Sequence, residues 1–570
     1  MSTTAVNLDS KSPSSAAAGK DPRLSPISEL SYDVLWLIFE QNTFPCSSTD
    51  PIRPLSTCIR TSGVCKFWRD IMLQSPIFWG RLIDLGHPFM GRRIGRGEVL
   101  KRSGVAPLWL QGTPRNRIVN DFFFSTLQDH WERVEVFDVK PFTDGRGSPM
   151  PADQLWATLL RPAPLLRVFR FPAKCYTDLF SKSPVPLFSN EAPRIEEFSV
   201  GNVSYSLEAS WMSTIRDVYI TPSFKLKDVL RGLKGMKAMR RMKTEGITMA
   251  TFDVVSDADS RVFFDHLQSL EIYDSLLPVW LRILENIACK LPCILHLKSS
   301  TYSYSNAKEP PETTLQIACE HLFRFLNPLL VNSPASWVSF KLSKLRVPVW
   351  PYPLQFEMSF LNDHQGNLAS FDFGGYPGLS LLFVQYLSSS LLLSSAIRLD
   401  LDIEENDLSI FAPEFHLMMS KFESVTILEI PEHNLDLLIR LCDPHIFPSL
   451  QILHLTGFIS RPTVESVIRG GSRREEELGP NGLFGTFLQK RISVGAPISL
   501  LDLVNPRVKC SRDMAFLDEV SGLTVRYWDY ESGSALDYVC GSGNPDALRF
   551  SFFDWDAAIA RYNSYNHVRS

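Results

Sequence analysis

The feature that most constrains the fold of this 570-residue chain is a short apolar pattern that recurs along it. The pattern has the form apolar-x-x-apolar-x-apolar, and its last two positions fall on one face of an extended strand. It begins at Leu166, Ile195, Ile215, Leu267, Trp337, Leu368, Ala396, Val425 and Leu450. The last five starts are separated by 31, 28, 29 and 25 residues, at or slightly above the period of leucine-rich repeats.

A unit of this length cannot bury its apolar side alone, so neighbouring units must stack to make a continuous core. The pattern therefore predicts an α/β fold over residues 131–570, a leucine-rich-repeat-like solenoid with parallel strands on its concave face and a C-terminal cap. Residues 221–330 are less regular, and residues 234–246 do not fit the pattern. Chance recurrence in a β-rich protein stays open as the alternative, although the regular spacing of the last third favours repeats.

Composition narrows the class of partner. Hydrophobic residues make up 44% and charged residues 21%, and a net charge of −4 gives no electrostatic reason to expect nucleic acid. Ten cysteines scattered singly favour a reducing compartment, the cytoplasm or the nucleus. No window approaches 18 uninterrupted apolar residues, so we expect no membrane partner. Residues 1–23 are polar and small, and we expect a disordered tail.

Residues 24–85 are helical in pattern, with an interruption at 42–56 that is rich in proline and serine. Ser31 is a good N-cap for the first helix, since its hydroxyl can accept from an amide of the first turn. That helix has apolar residues nearly all round, because Trp36 and Leu37 face away from the apolar stripe, which contains Val34, Leu35, Ile38 and Phe39. Part of it must therefore bury against something besides its own module.

Three blocks in this region carry a resemblance to a known family. They read Leu30-Ser31-x-Asp33-Val34-Leu35-x-x-Ile38-Phe39, Val64-Cys65-Lys66-x-Trp68-Arg69-x-Ile71 and Pro76-x-x-Trp79-x-x-Leu82. In order and spacing they resemble the F-box, and the chain as a whole resembles fungal F-box proteins with irregular, proline-introduced repeats. Two departures from the family pattern are Ser31 in place of proline and the long interruption at 42–56.

The resemblance implies a three-helix F-box over residues 24–85 that docks on a Skp-type adaptor of a cullin ubiquitin ligase. Residues 86–130 would link it to the solenoid, which would hold an unknown target protein. The residues carried over as adaptor-binding or F-box core are Leu30, Val34, Leu35, Ile38, Phe39, Val64, Cys65, Trp68 and Trp79. Sequence does not divide them between core and interface. Such a substrate-recognition adaptor of an SCF ligase would perform no bond chemistry and need no cofactor.

Two other functions stay open. The chain could be a non-catalytic F-box scaffold without ubiquitylation, or an enzyme whose site is built from residues distant in sequence. Residues Cys289, Cys293 and His296, with Cys319 and His321 downstream, have zinc-like spacing. They lie in apolar runs, however, where free cysteines behave as small core residues, so we expect no metal site. The glycines of residues 91–97 lack the ending of a phosphate-binding loop, and neither a Gly-x-Ser-x-Gly nor a His-Glu-x-x-His motif is present.

Overall fold

The computed structural model divides the chain into two compact units, Met1–Leu110 and Gln111–Ser570. It describes residues 30–44, 53–140, 152–172, 185–201, 203–221, 224–247, 261–299, 310–344, 354–363, 366–374, 376–403, 412–441, 446–456, 482–503, 514–529 and 534–549. The predicted tail at 1–23 and most of the predicted interruption at 42–56 lie outside the described residues.

The first unit is mainly helical. Its elements are α1 (Tyr32–Gln41), α2 (Pro54–Ser62), α3 (Lys66–Leu73), α4 (Pro76–Arg81), β1 (Ile83–Asp84) and α5 (Arg93–Ser103), and β2 (Leu108–Gly112) begins in it. Among the described residues, four helices precede Ile83 where three were predicted. The additional helix is α2, which begins at Pro54 inside the predicted interruption, at a position where proline has no amide to lose. Helix α5 occupies the segment predicted to be a linker.

The second unit confirms the α/β prediction at the level of a large, mostly parallel sheet. Its helices are α6 (Arg117–His130), α7 (Ala152–Leu159), α8 (Leu226–Leu233), α9 (Leu277–Asn286), α10 (Glu312–Asn332), α11 (Pro377–Ser389), α12 (Ala412–Met419), α13 (Leu435–Leu441) and α14 (Gly482–Ser493). Its strands are β3 (Val134–Val139), β4 (Val168–Phe171), β5 (Glu197–Val200), β6 (Asp217–Ile220), β7 (Arg241–Glu245), β8 (Val262–Phe264), β9 (Ser269–Ser275), β10 (Ile287–Cys289), β11 (Ile294–Ser299), β12 (Trp337–Lys344), β13 (Leu354–Asn362), β14 (Gly366–Asp372), β15 (Arg398–Ile403), β16 (Ile427–Pro431), β17 (Ile452–Thr456), β18 (Leu500–Leu503), β19 (Thr524–Asp529) and β20 (Ser534–Val539).

Each of the nine sequence patterns coincides with a strand, but the strands are not stacked strictly in chain order. The run β3-β4-β5-β6-β7-β9-β11 is parallel throughout, and so is the run β15-β16-β17-β18-β19. Between them β14 lies beside β11 and β12 lies beside β15, joined by the antiparallel strand β13. The units beginning at Trp337 and Leu368 are therefore reversed in space, because β13 folds the chain back on itself.

Residues 234–246, which did not fit the pattern, contain strand β7. Met239 and Met242 occupy the first two apolar positions, and the third is the buried Thr244. Thr244 is only weakly hydrophobic, but it is β-branched and therefore suits a buried strand. Strands β3 and β18 also carry the apolar pattern, which begins at Val134 and at Ile498. Neither position is among the nine starts predicted from the sequence.

One side of the sheet forms a continuous apolar layer. In β3, β4 and β5 the middle position is phenylalanine, and the rings of Phe137, Phe169 and Phe198 stack with centroids 4.9 and 5.5 Å apart. The same register position is held in the following strands by buried aliphatic side chains, including Leu270 and Leu399. The other side of each strand carries polar residues. Within the described part of the chain, no helix is long and apolar enough to cross a bilayer.

Candidate partner-binding surfaces

Helix α1 begins as its sequence predicts. The Ser31 side chain accepts a hydrogen bond from the Val34 amide at 3.4 Å, and Asp33 lies in the first turn, where negative charge is favoured. Leu30, the residue before the cap, is half-buried. The helix is thus fixed at its start by its own capping residue.

The buried side of α1 is built from residues four positions apart. Leu35 and Phe39 are both buried, and the Phe39 ring meets Trp68 of α3 edge-on with centroids 5.1 Å apart. Trp36 contacts Phe78 of α4 at the same separation. These contacts hold α1 against α3 and α4, so Leu35 and Phe39 belong to the core of the unit.

Trp79 belongs to that core as well. Its indole Nε1 donates to the Met72 carbonyl at 2.8 Å, and the Arg102 guanidinium lies 4.7 Å from its ring. Arg81 forms a largely buried ion pair with Glu40 of α1, with Nη1 and Oε1 2.9 Å apart. The module is therefore tied together by polar contacts in addition to apolar packing.

The remaining apolar residues of α1 face solvent. Val34, Leu37 and Ile38 lie at i, i+3 and i+4, on one face of the helix, and Val34 and Ile38 are 42% and 41% exposed. On α3 and the turn before it, Val64 is 61% exposed and Phe67 is also exposed. We refer to Val34, Leu37, Ile38, Val64 and Phe67 as the apolar surface.

The structure thus sorts the nine carried-over residues into three groups. Leu35, Phe39 and Trp79 are buried, Leu30 and Trp68 are half-buried, and Val34, Ile38, Val64 and Cys65 are exposed. Cys65 caps α3, since its sulfur accepts from the Trp68 amide at 3.4 Å. Leu37 and Phe67 were not among the predicted residues. The all-round apolar character of α1 was the signal that could have identified Leu37.

In the second unit, the polar side of the sheet carries charges that are paired across strands. Arg170 of β4 donates to Asp138 of β3 at 2.9 Å and to Glu197 of β5, and its pKa is raised chiefly by the hydrogen bond to Glu197. Arg241 pairs with Asp217 in the same manner. Such pairing fills the polar side with fixed, neutralised charges.

Farther along the sheet, acidic residues outnumber basic ones. Asp400 of β15 lies in register with Glu429 of β16, and the hydroxyl of Ser339 donates to Asp400 at 3.1 Å. Burial, and then the charges of Glu429 and Asp402, raise the pKa of Asp400 from 3.8 to about 6. Carboxylates this close raise one another's pKa because two negative charges repel.

The residues with zinc-like spacing are separated. His296 points its Nδ1 at the Ser370 hydroxyl, 2.7 Å away on the polar side of the sheet, whereas Cys319 is buried within α10. Among the described residues, no three His, Cys, Asp or Glu side chains converge to hold a metal ion. Cys289 is half-buried at the end of β10, and Cys293 is buried just before β11.

Comparison with known proteins adds no relative. No family model matches the chain. No curated protein matches it either.

Proposed function

We propose that this chain is a substrate-recognition adaptor of a cullin-type ubiquitin ligase. In this proposal the apolar surface of the first unit docks on a Skp-type adaptor, and the second unit is a leucine-rich-repeat-like solenoid whose polar face holds a target protein. The chain itself makes and breaks no bonds. It acts by bringing a target close to a conjugating enzyme in a suitable orientation.

The observation that supports docking is the exposure of Val34, Ile38 and Val64. These are apolar residues at F-box-like positions, and the core of the unit is complete without them, since Leu35, Phe39 and Trp79 fill it. Apolar side chains grouped at i, i+3 and i+4 on a surface helix favour a partner that covers them. Docking would bury the apolar residues of α1 that the core of the unit does not use.

The solenoid proposal is supported by a backbone contact that recurs from unit to unit. In several units the residue just before the strand donates its amide to a carbonyl at the same place in the neighbouring unit, as Glu196 does to Arg167 and Arg216 does to Glu196, at 2.8 and 2.7 Å. The same contact recurs from Gln451 to Thr426 at 3.0 Å. Repeated contacts between neighbours are what stacked repeats use to propagate a common geometry.

Target binding would then fall to the polar side of the sheet. A protein partner that docks there must exchange contacts with side chains such as Arg170 and Asp400. Electrostatic complementarity of this kind selects partners more than it adds affinity. The target is a protein whose charges match those of the strands.

The test is a pull-down with a purified Skp-type adaptor. The double variant Val34→Asp/Ile38→Asp should lose capture, because burying two unpaired carboxylates in an apolar interface is costly. Both positions are exposed, so circular dichroism should remain unchanged. Ile94→Asp is the matched control: Ile94 lies in the same unit and is 80% exposed, and its replacement should leave capture intact. Equal capture of the wild-type protein, the double variant and Ile94→Asp would contradict the proposal.

Target turnover separates the ligase adaptor from a scaffold without ubiquitylation. In cells that carry the double variant, a ligase target should accumulate and lose its ubiquitin conjugates. A scaffold partner would keep its half-life while adaptor capture was lost. That second outcome would support docking of the apolar surface on the adaptor and would contradict the ligase function.

A further inference from the structure

Helix α5 of the first unit exposes a face that is separate from the residues of the apolar surface. Arg93, Ile94, Gly97 and Lys101 follow one another at helical spacing, and all four are exposed. Val99, on the other side of the helix, is buried. We refer to the four exposed residues as the α5 face.

The cations of this segment differ in their partners. Arg96 donates to the Met90 carbonyl at 3.2 Å, and Arg102 forms an ion pair with Glu98 at 3.1 Å. Three further cations make no ion pair with any described residue: Arg92, Arg93 and Lys101. Their positive charges are therefore available to a partner.

Two of these cations lie where the helix disfavours them. Arg92 is the N-cap of α5 and Arg93 is its first residue, at the end where the helix dipole favours negative charge. Within this described helix, no side chain caps the start and no acidic residue lies in the first turn. An anionic group beside the two arginines would remove a repulsion that the free protein carries.

Gly97 leaves the middle of the same face open. Glycine inside a helix is destabilising relative to alanine, so it needs a reason. Gly95 has one, because a Cβ there would lie 2.4 Å from the Phe89 carbonyl oxygen. At Gly97 no described atom beyond its chain neighbours and the helix backbone lies within 4 Å of that position. Another molecule can therefore approach the backbone of α5 closely at this point.

The charge of the unit favours an acidic partner. Its described residues, 30–44 and 53–110, contain ten lysines and arginines and five aspartates and glutamates, a net charge of +5, whereas the whole chain has −4. A positive unit in a negative chain attracts acidic partners in preference to basic ones.

The spacing of the α5 face specifies the partner further. Arg93 and Lys101 are eight residues apart, about 12 Å along the helix axis, and Ile94 lies between them with 80% exposure. In an extended peptide, residues four positions apart are separated by about 13 Å. Two carboxylates at that spacing could pair with both cations while an apolar side chain between them covered Ile94.

We propose that the α5 face binds an acidic segment of a protein partner, one in which an apolar side chain lies between carboxylates. A bilayer surface fits less well, because membrane-bound helices bury a whole apolar face and Ile94 is the only large apolar side chain of this one. Nucleic acid fits less well, because its phosphates would leave Ile94 uncovered. The inference does not depend on adaptor docking.

The experiment measures the fluorescence anisotropy of a fluorescein-labelled peptide, Gly-Glu-Glu-Leu-Glu-Glu-Gly, titrated with the full chain. We expect binding that weakens as salt rises, because exposed charges are screened. The same peptide with glutamine in place of glutamate should bind at least about tenfold more weakly. The double variant Arg93→Glu/Lys101→Glu should bind the glutamate peptide at least about tenfold more weakly than wild type, since it places like charges opposite each other.

The matched control is the double variant Arg60→Glu/Lys237→Glu. It changes the net charge by the same amount at exposed positions outside α5. Because charges far from the α5 face are screened, it should alter the affinity about twofold or less. A comparable loss in the two double variants would overturn the proposal, since binding would then follow net charge alone.

Gly97→Gln separates binding from folding. Glutamine forms helices better than glycine, so the unfolding midpoint should stay the same or rise. Its side chain would nevertheless fill the open space on the α5 face, so peptide binding should weaken at least several-fold. A variant that is as stable as wild type and keeps wild-type affinity would overturn the proposal.

Three results with the wild-type protein would also overturn it. They are no binding of the glutamate peptide, equal binding of the glutamate and glutamine peptides, and tighter binding of phosphatidylserine vesicles or duplex DNA at the same concentration of negative charge. Ile94→Asp should weaken peptide binding and leave capture by the Skp-type adaptor intact. Failure of this proposal and failure of adaptor docking are therefore distinguishable.

Discussion

The two units of the chain differ in the residues that they expose: the first exposes apolar side chains, and the second exposes paired charges. The first unit completes its core with residues such as Leu35 and Phe39 and leaves Val34 and Ile38 in solvent. The second buries its apolar row beneath the sheet and presents charges that already have partners, as Arg170 has with Asp138 and Glu197. An apolar surface gains from any partner that covers it, so it suits a constant partner. A surface of paired charges gains only from a partner that replaces those pairs, so it suits selection.

The largest expected difference in stability is between a substitution in the buried row of the sheet and a substitution in the apolar surface. Phe169→Ala removes a fully buried ring stacked between Phe137 and Phe198, and we expect it to lower the free energy of unfolding by about 3–5 kcal/mol. Leu37→Ala, on the exposed face of α1, should change it by about 0.5 kcal/mol or less. Denaturant unfolding measures both. Similar losses for the two variants would mean that α1 is covered within the free protein.

An intermediate effect concerns pH and Asp400. Its pKa is raised from 3.8 to about 6 in the folded protein, so between those values the folded chain holds a proton that the unfolded chain releases. The contribution of Asp400 to stability therefore falls as pH rises through this window and is lost above pH 6. Asp400→Asn removes the repulsion and keeps an acceptor for the Ser339 hydroxyl, 3.1 Å away.

We expect Asp400→Asn to be more stable than wild type at pH 7.5 by about 1–2 kcal/mol, and the advantage to vanish near pH 4. Thermal unfolding across this range measures the difference. Asp546→Asn, at an exposed carboxylate, is the control and should produce a small, flat difference. A gain for Asp400→Asn that is independent of pH would contradict the account.

The smallest effect concerns the paired charges themselves. Arg170→Gln breaks contacts to two carboxylates, yet the arginine is 44% exposed, so the loss of stability should be about 0.5–1 kcal/mol. The loss should shrink at high salt, because exposed pairs are screened. Arg231→Gln, whose contacts to Glu208 and Asp228 are 3.8 and 4.0 Å long, should have no measurable effect. A loss of several kcal/mol for Arg170→Gln would mean that its charges are much less hydrated than their exposure indicates.

Sequence patterns predicted the strands better than their arrangement. An apolar pattern reports which residues face a core, and nine such patterns coincide with strands because that facing is a local property. The order of β12 and β14 depends on β13, whose antiparallel pairing is a long-range contact with no periodic signature. Strand β7 was not predicted, because the polar residue Thr244 occupies a buried position that is apolar in the sequence pattern.

The sequence predicted some of the candidate docking residues, but not Leu37 or Phe67, and it did not assign their roles. Leu35 and Ile38 are equally apolar in sequence, and only the packing of α1 against Trp68 and Phe78 separates the buried residue from the exposed one.

The most direct test of the docking proposal is amide hydrogen exchange of the full chain with and without a purified Skp-type adaptor. Adaptor binding should slow exchange in α1 and α3, the helices that present the apolar surface, and should leave the strands of the second unit unchanged. Protection confined to the second unit, or no protection anywhere at saturating adaptor, would contradict the account.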